Sequence, residues 1–135
     1  SASEGTLVGF CVMVGIFSEG IDLMGEKLIG AIIIGTGLPQ IGTEREILRQ
    51  YYDKKGVNGF DYAYRYPGMN KVLQSAGRVI RTQEDTGIIL LLDERFAGKD
   101  YRNLFPAEWS DRGNCILNTV EEQLGSFWNR IREKD

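Results

Sequence analysis

The chain has 135 residues and a formal net charge of −3. This length suits one domain with a single hydrophobic core, and 42% hydrophobic with 26% charged residues is typical of a globular protein. The slight negative charge excludes a generally basic surface, so any contact with nucleic acid must come from a local patch.

Several classes of chemistry are excluded by residue type. The chain has no histidine, which excludes Ser-His-Asp and Cys-His catalysis. Cys11 and Cys115 are far apart, which argues against a zinc or iron–sulfur site and favours a reducing compartment. We see no signal-peptide pattern and no apolar run long enough for a membrane helix, and we therefore expect a cytoplasmic protein without membrane contact or metal site.

The first third of the chain predicts two buried strands, each followed by a loop. The apolar run Leu7–Val14 predicts the first strand, and the loop after it extends from Ile16 to Leu23. A second apolar run, Leu28–Ile34, predicts the next strand, which ends at the Gly-Thr-Gly-Leu-Pro sequence of residues 35–39.

A helix is expected next. Thr43 and Glu46 have the spacing of a capping box, and the helix should continue to about Lys55 and stop at Gly56. Its packing face would consist of Ile47, Leu48 and Tyr51. Residues 59–66 contain four aromatic side chains in alternation, a pattern that fits either a short helix or a strand.

The second half predicts a helix from Pro67 to about Thr82 and a third buried strand, Ile88–Leu92. An irregular stretch follows from residue 97 to residue 114, in which Phe105 and Trp109 are expected to provide the packing. Thr119 and Glu122 predict a second capping box at the start of the last helix. The apolar face of that helix comprises Val120, Leu124, Phe127, Trp128 and Ile131.

Strands that alternate with helices predict an α/β domain with a parallel sheet. Three strands make a thin sheet, and an open edge of such a sheet can pair with another chain. We therefore expect that edge to be covered by a preceding segment, by another protein or by self-association.

The segment of residues 74–81 combines two features that are unfavourable for a helix. Arg78 and Arg81 would place like charges one turn apart, and Gly77 would cost about 1 kcal/mol relative to alanine. Two guanidinium groups on one face suit a phosphate, because each offers a fork of donors that stays charged. A solvated basic face with an incidental glycine is the alternative.

The pattern Gln74-x-x-Gly77-Arg78-x-x-Arg81 resembles motif VI of superfamily 2 helicases. Residues 17–22, Phe-Ser-Glu-Gly-Ile-Asp, look like motif V in the form used by the DinG/XPD family of DNA helicases. The similarity continues through Gly-Leu-Pro at 37–39, Asp-Glu-Arg-Phe at 93–96 and Phe-Pro-Ala-Glu-Trp at 105–109. The resemblance implies that residues 1–135 form the second RecA-like motor domain, a parallel sheet flanked by helices. It also implies that this domain is incomplete, with its N-terminal side missing.

The resemblance also implies roles for individual residues. Arg78 and Arg81 would act as arginine fingers on ATP and Mg²⁺ held by the absent first domain, with Gln74 orienting the γ-phosphate or the attacking water. Gly77 and Gly20 would allow close approach of the backbone to the nucleotide, and Asp22 would face its ribose or an arginine. Phe17, Ser18 and Glu19 would couple the nucleotide to single-stranded DNA. For these motif V-like residues, an ordinary strand-to-helix turn is the alternative.

Two further patterns have competing interpretations. Strand 88–92 followed by Asp93 and Glu94 looks like a Walker B magnesium site, but the chain has no Walker A sequence. A structural ion pair between Asp93 and Arg95 is therefore the better interpretation. The aromatic residues near Arg65 and Lys71 could stack on bases, although tyrosines at helical spacing are more often part of a core.

The predicted function is that of the C-terminal motor domain of an ATP-dependent DNA helicase that acts on single-stranded DNA, an enzyme whose isolated second domain should be inactive. One alternative is a non-catalytic RecA-like module that binds other proteins. Another is half of an RNA helicase, since motif VI is widely shared.

Overall fold

The computed structural model describes residues 5, 8–13, 28–82, 85–111 and 113–133. The chain divides into two units, Ser1–Arg102 and Asn103–Asp135. The strands are β1 (Gly30–Ile34) and β2 (Ile88–Leu92), and the helices are α1 (Thr43–Lys54), α2 (Tyr66–Ala76), α3 (Lys99–Arg102) and α4 (Leu117–Arg132). Within the described residues, none of these helices has the length and apolarity needed to cross a membrane.

The two strands of the first unit pair in parallel. Gly30 lies opposite Ile88 and Ile34 opposite Leu92, and α1 and α2 lie between the strands in sequence. This confirms the α/β class and the second and third predicted strands, with β1 beginning two residues later than predicted and β2 at the predicted ends. The sheet is covered on one face only in the described part of the chain, because Ile33 is buried while Ile32 and Ile34 are 62% and 74% exposed.

Helix α2 supplies the core that faces β1. Met69, Val72 and Ala76 are at most 2% exposed, and their spacing of three and four residues puts them on one side of the helix. Val79, just beyond the helix, continues this buried row. Burial of a methionine or valine side chain stabilises a fold by about 1.5–3 kcal/mol, so α2 is fixed firmly on the strand pair.

The first predicted strand is wrong in the residues that can be compared. Residues 8–13 have no strand structure, and Val8, Phe10 and Val12 are 70%, 95% and 74% exposed. An apolar run becomes a buried strand only when other strands and helices cover it. Such a cover does not exist for these side chains among the residues that the structure describes.

Helix α1 forms where predicted, but its cap and its packing face differ. Gly42 occupies the cap position without a side-chain cap bond, so the capping box of Thr43 is absent. Glu46 instead accepts a hydrogen bond from the Tyr64 hydroxyl at 2.6 Å, which raises the pKa of that phenol. Because α1 packs through this bond and the Arg45 bond to the Ala63 carbonyl, the predicted face is turned outward. Its members are exposed: Ile47, Leu48 and Tyr51.

The aromatic segment is helical, as one of the two interpretations required. Residues 61–65 form a π-helical turn that leads into α2. Tyr64 is 3% exposed, and the Phe60 ring stacks on it with centroids 5.3 Å apart. Tyr62 is 39% exposed and stacks on Tyr52. The core interpretation therefore holds for part of the segment, and Tyr62 belongs to the surface.

In the second unit, α4 begins before the predicted cap. Ile116 is the cap residue, and Thr119 lies in the first turn, where its hydroxyl accepts the Ile116 N–H at 3.4 Å. The predicted apolar face is confirmed, since all five of its residues are half-buried. The rings of Phe105 and Trp109 contact each other at 5.4 Å, as expected for the irregular stretch.

Candidate functional site

The loop after β1 lies against the first turn of α2. Gly35 and Gly37 have φ of 85° and 65°, a region that favours glycine. The Gly35 N–H donates to the Leu92 carbonyl at 3.1 Å, which ties this loop to the carboxyl end of β2. A Cβ on Gly37 would meet the Gly68 carbonyl oxygen at 2.7 Å. The amino end of α2 is therefore fixed at the carboxyl ends of the strands.

The motif VI-like residues lie at the other end of α2. A Cβ on Gly87 would be 2.4 Å from Cγ1 of Val79 and 3.2 Å from the Ile29 carbonyl oxygen. Gly87 and Ile29 immediately precede β2 and β1. The turn that follows α2 is thus at the amino ends of the strands, separated from the β1 loop by the length of α2, about 16 Å for a helix of this size.

Arg78 and Arg81 do not share one helix face, and the predicted helix to Thr82 is wrong at its end. Helix α2 stops at Ala76 with Gly77 as the cap, and a turn follows in which the Val79 N–H donates to the Ala76 carbonyl at 3.0 Å. Glycine is a poor helix former, and the turn places Val79 in the core. Arg78 is half-buried and Arg81 exposed, so both project from the turn that ends α2.

Gln74 and Gly77 are exposed beside these arginines. Within the described residues, a Cβ on Gly77 would meet only carbonyl oxygens of α2 itself, at 3.3 and 3.8 Å. The outer side of Gly77 is thus open to an approaching group. The structure brings together four of the predicted site residues, which share the last turn of α2 and its continuation: Gln74, Gly77, Arg78 and Arg81.

The other predicted site residues lie outside the described residues. They form the motif V-like loop: Phe17, Ser18, Glu19, Gly20 and Asp22. Their placement beside the arginines stays a prediction.

Asp85 was not singled out by the sequence. One of its carboxylate oxygens, Oδ2, accepts the backbone N–H groups of Arg81 and Thr82, both at 2.9 Å. These two bonds hold the pKa of Asp85 below its ordinary value, and the bond from the Arg81 N–H has the larger effect. The available signal was an aspartate in the polar turn before β2, since aspartate often accepts nearby backbone N–H groups in turns.

Asp93 and Arg95 form the expected ion pair at the carboxyl end of β2. Nε and Nη2 of Arg95 donate to the two carboxylate oxygens of Asp93 at 2.8 and 2.7 Å. The Arg95 side chain is the main cause that lowers the pKa of Asp93. The Asp93 carboxylate of the Walker B-like sequence is thus paired with Arg95.

Arg65 also has a structural role. It forms ion pairs with Asp61 and Asp100, and its guanidinium lies over the rings of Phe60 and Tyr101 at 5.6 and 5.5 Å. These contacts join the π-helical turn to α3, so this cation contributes to the core of the first unit.

Comparison with known proteins adds an independent observation. The family model described as helicase C-terminal domain matches residues 1–112. The chain is 38% identical over 89 residues to ATP-dependent DNA helicase DinG of Photobacterium profundum, covering 64% of this chain and 13% of that protein. It is 31% identical over an alignment of 147 positions to ATP-dependent DNA helicase CHL1 of Candida glabrata. That alignment covers 97% of this chain and 17% of that protein.

A further relative is the XPD helicase subunit of general transcription and DNA repair factor IIH of Dictyostelium discoideum, 33% identical over 96 residues. The match covers 68% of this chain and 12% of that protein. In these three comparisons, the chain thus spans less than a fifth of the relative's length.

Proposed function

Since this chain belongs to the helicase C-terminal domain family, in a group that includes DinG and XPD helicases, we propose that it is a RecA-like motor domain of a larger ATP-dependent DNA helicase. In this role it completes a nucleotide site whose Walker A lysine and Mg²⁺ belong to another domain. Single-stranded DNA is the substrate along which the whole enzyme moves.

The arrangement of Arg78 and Arg81 carries the proposal. Both arise from one turn that is anchored in the core by Val79, which is 5% exposed, while Arg81 itself is on the surface. Guanidinium groups match phosphoryl oxygens in geometry and charge. This turn can therefore present cations to an ATP phosphate held by a facing domain.

In the proposed mechanism, the two arginines stabilise the negative charge that develops on the transferring phosphoryl group. The Gln74 amide orients the attacking water or the γ-phosphate, and Gly77 leaves room for the nucleotide at its open side. Gly20 and Asp22 contact the nucleotide from the preceding loop. Phe17, Ser18 and Glu19 connect that loop to the DNA strand.

The test is replacement of Arg78 or Arg81 by alanine in the full-length gene product. Each change should lower DNA-stimulated ATP hydrolysis by about 10³- to 10⁵-fold, as for other arginine fingers, while binding of single-stranded DNA persists. Arg130→Ala, on the exposed side of α4, is the matched control and should retain activity. Full ATPase activity of Arg78→Ala and Arg81→Ala would refute the proposal in favour of a docking role.

The same protein distinguishes DNA from RNA as the substrate. ATP hydrolysis should be stimulated by single-stranded DNA and much less by RNA of equal sequence. Stimulation by RNA alone would replace the DNA helicase with an RNA helicase while leaving the role of the arginines unchanged.

A further inference from the structure

Asp85 connects the turn of residues 77–81, called here the arginine turn, to the segment that enters β2. Its Oδ2 accepts two consecutive backbone N–H groups, those of Arg81 and Thr82, at 2.9 Å each. Two bonds to one oxygen fix the peptide planes on both sides of Arg81, because each N–H direction is set by its own plane. The backbone at Arg81 is therefore defined by the Asp85 carboxylate.

The buried anchor of this turn lies further back in the chain than Arg81. In the turn after α2 the Arg78 N–H donates to the Ser75 carbonyl and the Val79 N–H to the Ala76 carbonyl, and Val79 is the last buried residue of this turn. Arg81 lies two residues beyond it, on the surface. An arginine side chain is long, so a small rotation of the backbone displaces the guanidinium at its end by a larger distance.

We propose that Asp85 is a positioning residue that holds the backbone of Arg81 so that its guanidinium reaches the ATP phosphate. This rests on the proposed function of Arg81. In this role Asp85 acts through the two N–H groups and not on the substrate directly. Its loss should resemble other small misplacements of a reacting group, for which a shift of about 1 Å can cost about 100-fold in rate.

The experiment compares Asp85→Ala, Asp85→Asn and the control Glu121→Ala in the full-length gene product. Asp85→Ala should lower the kcat of DNA-stimulated ATP hydrolysis by about 10- to 100-fold, with KM for ATP within about threefold, because binding of ATP by the facing domain is retained. Asp85→Asn should restore most of the rate, since its amide oxygen can accept both N–H groups. Glu121→Ala removes an exposed carboxylate of α4 and should leave kcat unchanged.

A double-mutant cycle with Arg81→Lys tests whether Asp85 acts through Arg81. Adding Asp85→Ala to Arg81→Lys should lower kcat much less than adding it to the wild type, because interacting residues are not additive. Equal fold losses in both backgrounds would overturn the inference, and so would a wild-type kcat for Asp85→Ala in a protein that Arg81→Ala inactivates. Wild-type activity of Arg81→Ala would instead overturn the proposed function.

Asp85→Glu decides the question if Asp85→Ala does not fold. It keeps the negative charge but moves the carboxylate by one methylene, which disturbs both bonds to the backbone. A clear loss of kcat in the folded Asp85→Glu protein supports the inference, and an unchanged kcat overturns it.

Discussion

Asp85 and Asp93, two aspartates of the described residues with lowered pKa values, accept hydrogen bonds from different kinds of donors. Asp85 is held by backbone N–H groups of Arg81 and Thr82, whereas Asp93 is held mainly by the Arg95 side chain. A carboxylate with a lowered pKa stabilises the fold above its unfolded pKa and loses this contribution as the pH falls through its folded pKa. Both contributions should therefore be complete at neutral pH and decline as the pH falls below about 4 towards the lowered pKa of each folded carboxyl.

This difference gives a prediction at the scale of single residues. In the 135-residue chain, Arg95→Ala should raise the pKa of Asp93 part of the way towards its ordinary value, because the main stabilising donor is removed. Arg81→Ala should leave the pKa of Asp85 low, because the Arg81 N–H remains. Carboxyl titration by NMR measures both values, and an equal rise in the two variants would contradict the assignment.

Sequence reasoning identified the residues of the arginine turn but not its shape. Val79 and Ile80 continue the apolar spacing of α2, so periodicity alone extends the helix to Thr82. Val79 packs against Gly87, which lies beyond the turn and is not part of the helical pattern. Such tertiary contacts override the helix preference of a local sequence. Asp85 was missed for the same reason, since its role depends on where the turn folds back.

At the scale of elements, local signals located β2 and α1 better than they located the packing face of α1. The run Ile88–Leu92 became β2 with its predicted ends, and α1 followed its predicted span closely. The packing face of α1 was wrong because polar contacts, Arg45 to Ala63 and Tyr64 to Glu46, set its orientation. The spacing of apolar residues does not reveal polar side chains that bond to a specific partner.

The contact between the β1 loop and α2 gives a prediction for these elements. Gly37→Ala should destabilise the first unit by more than Gly35→Ala. Both positions have positive φ, which costs roughly 1–2 kcal/mol for a residue with a Cβ. Only the Cβ at position 37 also collides with the Gly68 carbonyl, and forced overpacking adds about 1–3 kcal/mol.

Urea unfolding of the two variants of the 135-residue chain measures the difference. The midpoint should fall further for Gly37→Ala at a similar slope of free energy against urea concentration. Equal midpoints would show that the helix can move away from the loop without loss of packing.

At the scale of the whole molecule, the proposed division of labour predicts that the isolated 135-residue chain binds ATP weakly and does not hydrolyse it. The chain has no Walker A sequence, and arginine fingers alone do not hold the β- and γ-phosphates. Phosphate release assays with and without single-stranded DNA should show no turnover above buffer. Turnover that disappears in Arg81→Ala would place a complete nucleotide site within this chain.

The exposed face of the strand pair also belongs to this scale. Ile32, Ile34 and Leu92 are more than half exposed, although parallel sheets are usually covered on both faces. Coverage of the open sheet edge by a preceding segment, by another protein or by self-association stays a prediction, as does the cytoplasmic location.

The segment of residues 68–79 is held at both ends, by the close approach of Gly37 to Gly68 and by that of Gly87 to Val79. The number of residues between these two contacts determines where Val79 lies relative to Gly87. One residue inserted between them would turn Val79 by about 100° around the helix axis and withdraw it from Gly87. Substitutions on the solvent side of this segment can accumulate over time, but an insertion or deletion would displace Arg78 and Arg81.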